Sequence, residues 1–278
     1  MWYAISCPNS CTPHPRGPPQ SLKFLQKRSV PTSFRIRASL SNQYNGATVE
    51  YTPWLIVGLG NPGKKYHRTR HNVGFEMIDA ISEAQGIPMN TIQSKALVGI
   101  GSIGEVPILL AKPQAYMNFS GESVGPLAAH YHVPLRHILL AYDEMSLPNG
   151  VLRVQPKGGH GHHNGLGNFR KYETLVGIGR YVISQVARGL HISAGNGYPK
   201  KSNSKAVGRR VIGIGNPPGN MDLKAYLLQK FSALERHQID EALKQGVGAV
   251  RSLVLDGFSQ SITRFNLGQK YKYHKVEL

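Results

Sequence analysis

Cysteine is nearly absent: the 278 residues hold two, Cys7 and Cys11, both close to the N-terminus. With that end removed no thiol remains, which excludes a cysteine nucleophile, a cysteine-ligated zinc and a structural disulfide from the body. Long apolar runs are also missing. The longest candidates are broken by Gly, Lys or Arg well short of the roughly 20 residues a membrane-spanning helix needs, so the sequence points away from a membrane. Acidic residues are scarce, 15 against 33 Lys and Arg, for a net charge of +18. An apolar content of 40% is nevertheless ample for a packed core.

The charge is unevenly placed. Residues 1–48 have no Asp or Glu, six Lys or Arg, seven Ser and six Pro, which is the composition of an organelle-transit segment. Abundant Pro and Ser with little amphipathic helix favour a plastid, and the chloroplast stroma is the expected destination. Removing these six bases lowers the net charge from +18 to +12. Residues 169–210 carry nine bases and only Glu173 in opposition, a net +8, which leaves +4 for the rest. That stretch is rich in Gly, Ser and Asn and has no clear period, so it reads as a basic insertion into a domain spanning 51–278.

Trp54–Gly58, Ala96–Ile103, Val106–Ala111 and His137–Tyr142 read as short buried strands, apolar and bounded by Gly, Pro or charge. Phe75, Ile78 and Ile81, widened by Met77 and Ala84, mark a helix that Gly86 and Pro88 stop. A second helix is expected over about Ser120–His132. Ser232-Ala-Leu-Glu235 is a capping box that opens a long helix with the stripe Ile239, Ala242, Leu243, Val247, Val250, Leu253 and Val254, ended by Gly257. Leu227, Leu228 and Phe231 just before it are core or a docking patch, with core favoured. The predicted fold class is α/β, a single domain with a twisted, mixed, mostly parallel sheet flanked by helices. Its crevice is expected at strand C-terminal ends.

Polar loops follow or adjoin the apolar runs: Gly58-Leu-Gly-Asn61-Pro-Gly63, Thr69-Arg-His71-Asn72, Tyr116-Met117-Asn118 and Gly159-His-Gly-His-His-Asn164-Gly165. Gly58-x-Gly60-x-x-Gly63 with Asp79 formally matches a dinucleotide fingerprint, but Pro62 and a run of polar residues replace the apolar crossover helix that should follow. A tight turn presenting Asn61 is the better reading. His71 can take a proton from water near neutral pH, and Asp143 after a strand can fix its tautomer. Asn61, Asn118 and Asn164 can donate to carbonyl or oxyanion oxygens. His160, His162 and His163 lack a carboxylate at ligand spacing, and glycine-rich loops fix metal ligands poorly. This set suits an ester or amide hydrolase with neither metal nor covalent nucleophile, or an RNA-binding descendant of one.

In this order the loops resemble those of the bacterial-type peptidyl-tRNA hydrolases, over roughly residues 53–168 and 211–270. The resemblance implies cleavage of the ester joining a peptide to the 3′ ribose of tRNA, with no cofactor and no metal. It makes His71 the general base, Asp143 its orienting partner, and Asn61 and Asn118 the holders of the peptide carbonyls. Tyr66 and Met117 would wall the site, Asn164 would meet the tRNA terminus, and Arg153 the tRNA 5′ phosphate. Two positions depart from the pattern: His162 replaces a usual Gly, and Val211 a frequent phosphate-binding Arg.

A narrower similarity, to the plant chloroplast group IIB intron splicing facilitators, rests on Thr91–Lys95, Gly99–Pro107, Pro134–Leu139, Ser146–Arg153, Arg264–Leu267 and Gln269–Lys272. It implies RNA as the partner, intron RNA in place of tRNA, together with a CRM-domain RNA-binding protein. The modest charge of the body fits a protein that grips RNA through such a partner. The tail Gln269–Lys275 interleaves bases and aromatics, a pattern that suits RNA or open solvent.

Overall fold

The computed structural model describes residues 51–155, 208–257 and 260–272. Seven strands form one sheet in the order β2-β3-β4-β1-β5-β7-β6. They are β1 (Trp54–Gly58), β2 (Thr91–Gln93), β3 (Ala96–Ile103), β4 (Val106–Pro113), β5 (Ile138–Glu144), β6 (Leu152–Gln155) and β7 (Gly208–Gly213). The expected parallel character holds for the four central strands β4, β1, β5 and β7, while both flanks are antiparallel. The helices are α1 (Val73–Gln85), α2 (Gly121–His130), α3 (Leu223–Leu228), α4 (Ala233–Asp256) and α5 (Gln260–Lys270).

Side chains alternate across a strand, so the apolar run of β1 feeds two cores. Trp54 and Ile56 join α1, α4 and Ile108, Leu110 and Leu139 on one face. Leu55 and Val57 meet α2 through Val124, Leu127 and Ala128 on the other. In α1 the buried stripe is Val73, Gly74, Met77, Ile78 and Ile81. Phe75 and Ala84, expected on that stripe, are half-buried and exposed, because the helix turns its glycine toward the sheet. Gly86 ends α1 in the left-handed region at φ 63°, where glycine has no Cβ to clash. The capping box of α4 is formed, with Ser232 N–H donating to Glu235 at 2.8 Å. Of the residues before it, Leu227 is buried and Phe231 packs on the core, while Leu228 is 44% exposed.

β7 takes Gly208, Arg209 and Arg210 from the stretch read as an insertion. A strand that begins Gly-Arg-Arg carries no apolar signal at its start, which hides it in the sequence. The rest of that stretch, and the loop that holds His160 to Asn164, lie outside the described residues.

An open sheet edge leaves unpaired N–H and C=O groups. Along β6 the side chains of α5 satisfy them. Asn266 accepts from Val154 N–H at 2.9 Å and donates to Val154 C=O at 2.8 Å. Gln269 accepts from Leu152 N–H at 3.1 Å, and Lys272 donates to Gly150 C=O at 2.8 Å. Two helix positions three residues apart, Asn266 and Gln269, therefore match alternate residues of the strand, and Lys272, just past the helix, reaches the turn before it. Asn266→Ala strands both Val154 groups and lowers stability by about 1–3 kcal/mol in a denaturant titration. Asn266→Asp, which keeps the acceptor and loses the donor, falls between.

Candidate active site

The site forms where β4, β1 and β5, three adjacent parallel strands, end together. From β1 the chain enters Leu59-Gly60-Asn61 and reaches the short 3-10 turn Arg70–Asn72, all three of whose residues are buried. From β4 it reaches the turn Met117–Phe119, and Asp143 is the last residue but one of β5.

His71 Nδ1 lies 2.9 Å from Asp143 Oδ2, with both side chains about nine-tenths buried. The carboxylate holds the proton on Nδ1, which leaves Nε2 as the basic nitrogen. Burial pulls the imidazole down, but the charge of Asp143 and its hydrogen bond more than offset this, so the His71 pKa stands above the ordinary 6.5. A raised folded-state value means that the charged pair stabilises fully below about 6.5 and loses its contribution as pH climbs through the folded value. The melting-temperature gap between wild type and Asp143→Asn is therefore full below about pH 6.5 and narrows as pH climbs through the raised folded value. A gap that never narrows as pH rises would show that the pair's contribution does not depend on titration of His71.

Asn61 is held from two sides. The Asn72 carboxamide pairs with its backbone, accepting from Asn61 N–H at 2.9 Å and donating to Asn61 C=O at 2.8 Å. Met117 N–H donates to Asn61 Oδ1 at 3.0 Å. With Oδ1 engaged, Nδ2 is the donor left for a ligand oxygen. Asn72 is visible in the sequence as part of the His71 loop but carries no role there. Side-chain pairing with a distant backbone leaves no periodic trace.

Met117 is buried beneath the mouth, while Asn118 is exposed beside it and makes no hydrogen bond among the described residues. Tyr66 is half-buried and meets Tyr116 edge-on at 6.5 Å, with the Lys65 ammonium 4.7 Å above its ring. The structure thus brings His71, Asp143, Asn61 and Met117 into one linked set, with Tyr66 and Asn118 on the same loops. Arg153 stands apart. It pairs in register with Val211 and projects with Tyr142 to the sheet face opposite Asp143, exposed to solvent. Val211 itself is buried beside Leu147 and Val151. Asn164 lies outside the described residues.

Gly58 and Gly60 serve packing. A Cβ on Gly58 would lie 2.2 Å from Gly74 O, and one on Gly60 2.9 Å from the Phe75 ring. Asp79, the supposed ribose ligand, is paired with Lys112. Among the described residues no group of three or more His, Cys, Asp or Glu is placed to hold a metal, and no helix is long and apolar enough to cross a membrane.

The family profile described as peptidyl-tRNA hydrolase matches residues 55–186 and 199–274. Its interruption, 187–198, falls inside the basic stretch 169–210 and is much shorter than it. The chloroplastic group IIB intron splicing facilitator CRS2-A of Arabidopsis thaliana is 61% identical over 93% of this chain and 94% of its own. The chloroplastic peptidyl-tRNA hydrolase of the same plant is 44% identical over 89% of this chain and 76% of its own. A crystal structure of peptidyl-tRNA hydrolase from Acinetobacter baumannii superposes with a TM-score of 0.59 at 30% identity, covering 77% of this chain and 94% of that one.

Proposed function

Since the chain belongs to the peptidyl-tRNA hydrolase family, we propose that it works as a chloroplast facilitator of group IIB intron splicing on a hydrolase scaffold. The observation that carries this reading is the difference between two relatives from one plant: 61% identity to the splicing facilitator against 44% to the hydrolase. Both relatives are named chloroplastic, which supports the same compartment here; the stroma, where organellar transcripts are processed, is the proposed location. Residues 1–48 are the proposed import segment. The partner is a CRM-domain RNA-binding protein that supplies most of the grip on intron RNA, in keeping with the +4 net charge outside residues 1–48 and 169–210.

A second reading, peptidyl-tRNA hydrolysis, is favoured by the His71–Asp143 pair and the fixed Asn61. In it Nε2 takes a proton from water as the water oxygen attacks the ester carbonyl. Asn61 Nδ2 and the Asn118 amide donate to the developing oxyanion, and the proton passes to the departing ribose 3′ oxygen as the C–O bond breaks. Every part of this cycle is supplied by side chains and water. The raised His71 pKa makes the rate climb with pH through a value above 6.5.

Protein starting near Thr48, incubated with chloroplast extract, should co-precipitate a CRM-domain protein and group IIB intron RNA, and His71→Ala should retain both. Recovery of neither would end the splicing reading. In parallel, turnover of a defined peptidyl-tRNA that drops about 100-fold or more in His71→Ala would establish the hydrolase. Turnover unaffected by that change would remove His71 from the chemistry.

A further inference from the structure

We propose that Arg70 is a positioning residue for His71, clasping the catalytic turn to the start of α4; the proposal rests on reading His71 as the base. Three successive side chains of the turn point to three different anchors. His71 reaches Asp143 on β5, and Asn72 reaches the Asn61 loop. Arg70, 5% exposed, reaches the corner between α3 and α4. Its Nη1 donates to Lys230 C=O at 2.7 Å, and its Nη2 donates to both carboxylate oxygens of Glu235 at 3.0 and 2.7 Å. The guanidinium lies 4.4 Å from the Tyr226 ring centroid and 5.2 Å from that of Phe231. Tyr226 is itself tied by its hydroxyl to Ile214 C=O at 2.6 Å.

The backbone repeats the attachment. Arg70 N–H donates to Gln229 C=O at 2.9 Å, and Thr69 bridges Lys230. A planar, forked donor stacked on aromatic rings has one orientation, which a lysine ammonium in its place would not enforce. Burial sets this ion pair apart from the exposed pairs, such as Lys95 with Glu122, that contribute little. One peptide bond separates this fixed point from the imidazole. If the turn rotates, the ring leaves Asp143, so the clasp sets the geometry of the His71–Asp143 bond.

The test follows the imidazole directly, by NMR titration of the histidines in the full chain. Variants are Arg70→Met, Arg70→Lys and Glu235→Gln. The last removes the charge opposite Arg70 while Gln still completes a capping box, so α4 keeps its start. Arg236→Met is the control: on α4 beside Glu235, it breaks the pair with Glu76 of α1 and shares with Arg70 only the face of Phe231, with no hydrogen bond to the turn. In the Arg70 and Glu235 variants the His71 resonance should titrate closer to the ordinary histidine value. If peptidyl-tRNA is turned over, kcat should fall about tenfold or more with little change in KM. Arg236→Met should lower the melting temperature and leave His71 where it was. An unmoved His71 in Glu235→Gln and Arg70→Lys, both folded, overturns the proposal. A moved His71 in a protein whose turnover survives His71→Ala keeps the clasp and overturns the reading of His71 as the base.

Discussion

Replacing Arg210 with leucine should raise the melting temperature by roughly 6–12 °C, the equivalent of about 3 kcal/mol in a domain of this size. Arg210 sits in β7 between Ala141 of β5 and Val154 of β6, on the face where Leu139, Ile212 and Leu152 build the larger core. The residue is fully buried, and Nε, Nη1 and Nη2 have no hydrogen-bond partner among the described residues. The Phe265 ring, 5.6 Å from the guanidinium, offers only a cation–π contact. An uncompensated cation in an apolar interior is among the costliest things a fold can contain.

Burial pushes the Arg210 pKa down from the ordinary arginine value to about 9. That displacement corresponds to about 5 kcal/mol held against the charged form, of the same order as the predicted gain. The pH dependence has a definite sign. Below about 9 the folded protein carries the whole penalty, and stability recovers as pH rises above that value. The advantage of Arg210→Leu should therefore be constant near neutrality and shrink above about pH 9. Arg210→Lys keeps the charge and should gain nothing. An unchanged melting temperature in Arg210→Leu would mean that the guanidinium is compensated in solution.

Gly74→Ala should have the opposite effect, a loss of about 3 kcal/mol or more and little folded protein. Its Cβ would stand 2.4 Å from Leu59 O, 2.5 Å from Ala141 O and 2.8 Å from Leu59 N, all backbone atoms with no room to give. Leu59 N–H and Ala141 C=O are themselves hydrogen-bonded at 2.9 Å, joining the ends of β1 and β5. The first turn of α1 thus lies directly on the join between two site strands, and a methyl group there lifts the helix off it. His71 is three residues upstream, so any folded remnant should also lose the His71–Asp143 contact. Gly248, in α4, is the comparison, because a Cβ added there would meet no atom within 4 Å. Gly248→Ala should stabilise by about 1 kcal/mol. Equal outcomes at the two glycines would show that α1 yields at its first turn.

The legible parts of the fold are those where burial is continuous. β1, β3, β4 and β5 are apolar runs between Gly, Pro or charge, and α4 opens with Ser232 and Glu235 at capping-box spacing. β2 has three residues, and β6 alternates over only four, too short for a period to register. β7 is masked by Arg209 and Arg210. Of the site, His71, Asp143 and Asn61 stand out because acid–base chemistry restricts residue type. Arg70 and Asn72 do not, because their work is mechanical: an arginine that stacks and forks, an amide that imitates a strand. Lys272 falls in a basic, aromatic tail suited to RNA, but its ammonium is committed to Gly150 C=O and Gln245.

The helix that seals β6 comes from the far end of the chain, more than 100 residues after the strand it completes. Synthesis runs from the N-terminus. During it β6 and its neighbours can assemble while Asn266, Gln269 and Lys272 are still to come. The sheet then has an adhesive margin, able to pair with a strand of another chain, until the last segment arrives. Shortening the C-terminus before Asn266 would make that transient state permanent, with aggregation as its visible sign.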